Sequence, residues 1–242
     1  MKKFAFVLAL CFVAGTAIAS PVAFQAGPGG PPNVVPSGRD VCWSEPADLN
    51  GLIGGSEQIL AYSLEDEIAN DFVPTGNVSY VTFWGGYWNN SVPCSSGITT
   101  PGFNLKFYND GGCVPAGIDP DVAWIVANTF VETSVGCQSG VYPMFKWDID
   151  LSGSPVALTA GNLYWFGGQL KDHAFPPQGG RLAAAVTTGC DSVFRSVYFG
   201  YPDWTPGIDV WGVAYDASQE FQCGGIVPTH PSTWGQIKGL YR

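Results

Sequence analysis

The chain has 242 residues, a formal net charge of −10, 12% charged and 14% aromatic residues, with 32 glycines and 19 prolines. So acidic a surface repels phosphate backbones and anionic bilayers, which argues against nucleic acid and anionic lipid as partners. Scarce charge with abundant Gly, Pro and aromatic residues is the composition of a turn-rich all-β protein, not of a helical or disordered one.

Lys2 and Lys3 precede an apolar stretch over residues 4–14, and Ala17-Ile18-Ala19 has the small-x-small form of a cleavage site. Residues 1–19 are therefore expected to be a signal peptide, making the protein secreted, extracellular or periplasmic, without membrane insertion. The apolar run is too short for a spanning helix, and Gly15 and Thr16 interrupt it. Residues 20–40 are rich in Pro and Gly without a period and read as a flexible spacer. Residues 41–223 read as one domain, followed by a tail over 224–242.

Within the domain, "SLEDEIANDF" (63–72) has Leu64, Ile68 and Phe72 at helical spacing, yet it is short for a helix and reads better as a turn entering an edge strand. "SYVTFW" (79–84) is expected to be a strand whose alternation buries Trp84. "FNLKFY" (103–108) alternates with Phe103, Leu105 and Phe107 inward. "IVANTFVET" (125–133) follows as a strand. In "VYPMFKWDIDL" (141–151), Val141, Phe145, Trp147, Ile149 and Leu151 point one way and Lys146, Asp148 and Asp150 the other. "NLYWFGG" (162–168), "RLAAAV" (181–186), "FRSVYF" (194–199) and "DVWGVAY" (209–215) complete the set, with Trp147, Trp165 and Trp211 as core residues. Short strands separated by Gly/Pro/Asn/Asp loops predict an all-β, antiparallel β-sandwich of jelly-roll type.

Six cysteines follow the signal: Cys42, Cys94, Cys113, Cys137, Cys190 and Cys223. An even number in an exported chain predicts disulfides. Metal binding is disfavoured by the absence of a C-x-x-C pair and by only two histidines, His173 and His230. If successive strands run antiparallel, loops 85–102, 134–140, 171–180 and 200–208 share one end of the sandwich, and loops 109–124, 152–161 and 187–193 the other. That parity pairs Cys94 with Cys137 and Cys113 with Cys190, leaving Cys42 to join Cys223.

"DIDLSG" (148–153) imitates the first half of a calcium loop, but the twelfth position is Thr159 where a Glu is needed. Glu65, Asp66, Glu67 and Asp71 form an acidic run that reads as a solvated turn. No metal position is therefore assigned, and no cofactor is expected. No G-x-S-x-G elbow is present, and His173 lies on a polar loop without a visible partner. The expectation is that the protein is not an enzyme.

The strongest site signal is "FWGGYWNN" (83–90), where Tyr87 and Trp88 lie past a Gly-Gly pair beside Asn89 and Asn90. Loop parity places Tyr201, Trp204 and Phe175 at the same end. Tyr87, Trp88, Asn89, Tyr201 and Trp204 are thus the candidate ligand-binding residues, since aromatic faces flanked by amides suit sugars and protein hot spots alike. The rival reading is that these rings pack on one another to order long loops.

"EIANDFVP", "VSYVTFWGGYW", "FNLKFYNDGGCVPAG", "NLYWFGGQ" and "PPQGGR" together resemble a module that recurs in exported bacterial proteins of unknown function. The resemblance spans about residues 56–216 and implies a β-sandwich and an exported life, with no catalytic residues to carry over. The expected role is a secreted, non-catalytic binding or cell-surface module with carbohydrate as the first ligand class. A structural or adhesive protein that binds another cell-surface protein is the alternative, and a glycoside hydrolase or lyase the third.

Overall fold

The computed structural model describes residues 40–88, 94, 99–138, 142–172, 177–185 and 188–224. The predicted signal peptide, the spacer up to residue 39 and the tail beyond Gly224 lie outside the described residues.

In chain order the first strands are β1 (Val41–Glu45), β2 (Ile53–Gly55), β3 (Glu57–Ile59), β4 (Leu64–Phe72), β5 (Val78–Trp88), β6 (Phe103–Asn109) and β7 (Ala123–Ala127). There follow β8 (Val131–Gln138), β9 (Tyr142–Asp150), β10 (Tyr164–Lys171), β11 (Gln178–Leu182), β12 (Val193–Ser196), β13 (Tyr201–Pro206), helix α1 (Gly207–Trp211) and β14 (Gln219–Cys223). They build two seven-stranded sheets.

In the first sheet the long β5 is central. Its first half pairs with β14 and its second half with β11 along one side, while β9 and then β8 lie on the other. β1 continues the sheet beyond β14, and β2 beyond β11. The second sheet runs β13-β12-β4-β3-β10-β6-β7, with β4 also reaching β10. Pairing is antiparallel except between β3 and β10.

The two sheets pack face to face on an aromatic core. Val81, Phe83, Trp147, Ile149 and Phe221 come from the first sheet, and Phe72, Phe103, Leu105, Phe107 and Phe166 from the second. Phe83 meets Phe103 edge-on at 5.0 Å and Phe72 meets Phe221 at 4.2 Å between centroids. Burying each such ring contributes about 1.5–3 kcal/mol, so this layer is the main source of stability. A smaller cluster around Ile68, Phe194 and Tyr215 closes one end. A third lies on the outer face of the second sheet, where Val114, Cys190 and Trp204 cover Ala69, Tyr108, Trp165 and Val193.

The all-β, disulfide-stapled sandwich is as the sequence predicts. The bonds join Cys42 to Cys223, Cys94 to Cys137 and Cys113 to Cys190, the pairing expected from loop parity.

Several local expectations are corrected. Of residues 63–72, Leu64–Phe72 form β4, an interior strand and not an edge, flanked by β12 on one side and by β3 and β10 on the other. Its acidic residues are not a solvated turn, because Asp66, Glu67 and Asp71 are buried. Residues 125–133 divide at Asn128–Phe130, and the two halves, β7 and β8, belong to different sheets. Residues 209–215 do not form a strand. Pro206 caps the N-terminus of α1, and Gly212, at φ 75°, ends it in the left-handed conformation that glycine tolerates. Residues 201–206 form the edge strand β13, where Pro202 and Pro206 are allowed because an edge needs no complete ladder.

Trp84 is also misplaced by simple alternation. Tyr80 pairs with Gln222 but Val78 pairs with Cys223, so β5 carries one extra residue at Ser79. Such a bulge flips the side-chain phase. Val78 therefore faces the core together with Val81 and Phe83, while Tyr80, Thr82 and Trp84 stand on the outer face, with Trp84 half-buried.

Candidate functional site

The outer face of the first sheet is built from cross-strand rows. In one, Gln222 on β14 stands opposite Tyr80 on β5, which stands opposite Asp150 on β9. In the next, Glu220, Thr82, Asp148 and Val131 align across four strands. Trp84, Lys146 and Thr133 form a third row. Directly opposed side chains lie close enough to touch one ligand together.

Where the chain crosses between sheets at Thr129–Val131, it walls off a groove of about 340 Å³ lined by Tyr80, Thr129, Phe130, Val131, Asp148, Asp150 and Gln222. Phe130 is anchored from behind by Phe103, at 5.0 Å between ring centroids. Asp148 is held by Lys146, 2.9 Å from Oδ2, and accepts the Thr82 hydroxyl at 2.7 Å on Oδ1. Asp150 Oδ1 accepts the Ser152 amide at 2.8 Å, which fixes the carboxylate at the start of its turn.

Gln222 is the unusual member. Its side chain is 2% exposed, and among the described residues neither Nε2 nor Oε1 has a hydrogen-bond partner. A buried amide left unpaired costs about 1–3 kcal/mol. It is therefore a donor and an acceptor at the groove wall that no described residue satisfies. The groove thus combines ring surface, a free amide and carboxylates on rigid strands, which suits recognition of a polyhydroxylated or cationic small molecule.

The sequence-predicted aromatics are not brought together. Tyr87 is fully buried, and its hydroxyl donates to Thr100 Oγ1 at 2.8 Å, which donates to Glu132 Oε2 at 2.6 Å. Trp147 Nε1 donates to the same carboxylate at 2.8 Å. Burial pushes the Tyr87 hydroxyl above its ordinary range. Tyr87 is thus a packing residue with no face to offer. Trp88 is half-buried, opposite Gln178. Asn89, Asn90, His173, Phe175 and His230 lie outside the described residues.

Tyr201 and Trp204 belong to the other sheet. Tyr201 packs edge-on against Phe194 at 5.8 Å. Trp204 packs edge-on against Tyr108 at 5.6 Å and donates from Nε1 to the Gly117 carbonyl at 2.7 Å, within the segment expected at the opposite end. The parity count slipped because 125–133 holds two strands and 201–206 is itself a strand.

The outer face of the second sheet also carries charge. Lys106 Nζ lies 2.7 Å from Glu67 and 3.3 Å from Glu65, Tyr108 donates to Glu67 at 2.7 Å, and Trp124 covers the ammonium at 5.5 Å. This strip is satisfied internally. Burial, then Glu67, pushes the Tyr108 hydroxyl up. Among the described residues no group of three or more His, Cys, Asp or Glu side chains is disposed to hold a metal ion.

Sequence reasoning passed over Gln222 and Tyr80. The available signals were the alternation in "QEFQC", a short strand ending on Cys223, and the polar partner face of "KWDID". No family model, no curated protein and no solved structure matches the chain.

Proposed function

We propose that this is a secreted, non-catalytic carbohydrate-binding module whose ligand occupies the groove on the first sheet. The observation that carries the reading is the buried, unpartnered amide of Gln222 beside the rings of Tyr80 and Phe130. Sugars present C–H faces that stack on rings and hydroxyls that both donate and accept, and a glutamine amide answers both needs. Three disulfides require an oxidising compartment, which agrees with export by the amino-terminal segment. A binding role is favoured over hydrolysis because both groove carboxylates are engaged: Asp148 with Lys146 and Thr82, Asp150 with the Ser152 amide. Hydrolysis needs one carboxyl free to protonate a leaving oxygen.

An adhesive reading has its own support. Val197 and Tyr198, at the β12–β13 turn, and Leu60, after β3, are 70%, 64% and 65% exposed. The register Ser196↔Asp66 and Ile59↔Leu64 brings these turns to one end of the second sheet.

The test is a glycan array probed with the oxidised protein and with Gln222→Ala and Tyr80→Ala. Loss of capture by both variants at unchanged melting temperature is expected. Capture that survives both, or is lost only on replacing Tyr198 and Leu60, overturns the groove reading.

A further inference from the structure

We propose that β7 is a self-association edge, on which a second copy of this chain pairs antiparallel through Ala123–Ala127 and joins the two second sheets edge to edge. Among the described residues β7 ends its sheet and pairs with β6 alone. An edge strand offers a row of amides and carbonyls to any extended chain, and β proteins blunt their edges with charge, proline, bulges or shortness. The other edges of this sandwich carry such devices. β13 holds Pro202, Asp203 and Pro206, and β2 has only three residues. β1 is irregular between Val41 and Trp43, and β8 carries Glu132 and a register shift between Ser134 and Gly136. β7 has none of them. Its sequence, Ala-Trp-Ile-Val-Ala, lacks charge and proline, and its register with β6 runs unbroken from Phe107 to Phe103.

Ala123, Ile125 and Ala127 turn to the core, while Trp124 and Val126 stand outside, 59% and 47% exposed. That pattern is complementary to itself. With Ile125 on a two-fold axis, Trp124 meets the partner's Val126 and Ala123 meets the partner's Ala127, each contact occurring twice. An aromatic ring against a β-branched side chain is a favourable cross-strand pair. Beyond the ladder Asp121 comes alongside the partner's Thr129, so within 121–129 no two carboxylates face each other. An isologous contact of this kind closes at two copies, because each edge is consumed by the other. The ladder is short, so the dimer is a dissociable one. Two chains of formal charge −10 repel each other, and added salt should tighten the pairing by screening that repulsion.

The experiment is sedimentation equilibrium of the full oxidised protein over a wide concentration range, with hydrogen exchange followed at both extremes. A concentration-dependent doubling of mass is expected, with slower exchange of the outward amides of 123–127 at the higher concentration only. Val126→Lys places two ammonium groups in the apolar row at an exposed position. It should weaken association about tenfold or more and leave the melting temperature of the dilute protein unchanged. Val126→Ile, which keeps the β-branched surface, should leave association intact. A single-chain mass at every concentration overturns the proposal. So does a dimer that Val126→Lys leaves unchanged, since its interface would lie elsewhere, as at Tyr198 and Leu60. Outward amides protected equally at all concentrations also overturn it, because the edge would then be covered by the chain's own segments.

Discussion

Arg181 Nη1, on β11 of the first sheet, donates across the interior to the main-chain carbonyl of Ile68 on β4 of the second, at 3.2 Å. The same guanidinium reaches the carbonyls of Phe166 at 3.1 Å and Ser218 at 3.1 Å and the Gln219 side chain at 3.2 Å, and lies over the Phe166 ring at 5.2 Å. Burial lowers its pKa to about 10, so it is still charged at neutral pH. Arg181→Ala leaves three buried carbonyls without this donor and should cost about 3–5 kcal/mol. Arg181→Lys keeps the charge but not the fork and should recover only part. Urea unfolding of the oxidised variants measures both.

The interior carboxyls predict an inverted pH response. Burial raises Glu45, Asp66 and Asp216 to about 7 and Asp71 to about 6. Each folded value lies above the ordinary carboxyl range near 4, so the folded state binds the proton more tightly. The stabilisation from protonation is complete below about pH 4 and is lost as pH rises through 6–7. Melting temperature should therefore climb on acidification from pH 8 to pH 5, as followed by calorimetry. Asp216→Asn should flatten that slope.

Phe83 and Trp84 exchange the roles that simple alternation assigns them. Phe83 is fully buried among Phe103, Trp147 and Phe166, so Phe83→Ala should cost about 3–5 kcal/mol. Trp84 stands half-buried on the outer face, and Trp84→Ala should cost about 1–2 kcal/mol. Denaturant midpoints at equal m-value decide the order.

Cys113–Cys190 bolts the segment after β6 over Trp165 and Tyr108. Replacing both cysteines by alanine should destabilise the fold by about 2–4 kcal/mol. Acrylamide should then quench Trp165 and Trp204 more strongly, because the cover that shields them is no longer tethered.

Legibility in the sequence followed burial geometry. β9 was readable because one face meets the core through Trp147 and Ile149 while the other carries Lys146 and Asp148. β4 was not, because it is covered on both faces. Asp66 is bonded by the Ser196 hydroxyl, Glu67 by Lys106 and Tyr108, and Asp71 by the Cys190 amide, so its charges look like surface and are interior. The extra residue at Ser79 reversed the phase of Trp84, and no local cue marks it. The cysteine pairing was recoverable because it depends on which ends the loops share, and its three inferred pairs tolerated the misread strands. The groove was not recoverable, because Gln222, Tyr80 and Phe130 meet only through strand order.

Cys42 and Cys223 hold β1 against β14 with their Cα atoms 5.5 Å apart, although 181 residues separate them. Mechanical load applied through the flanking segments therefore passes across one covalent bond, and the sheets between lie outside the force path. A pulling experiment on the oxidised protein should show almost no extension from this domain. After reduction, about 600 Å of contour should become available to unravel, so the module behaves under tension as a rivet and not as a spring.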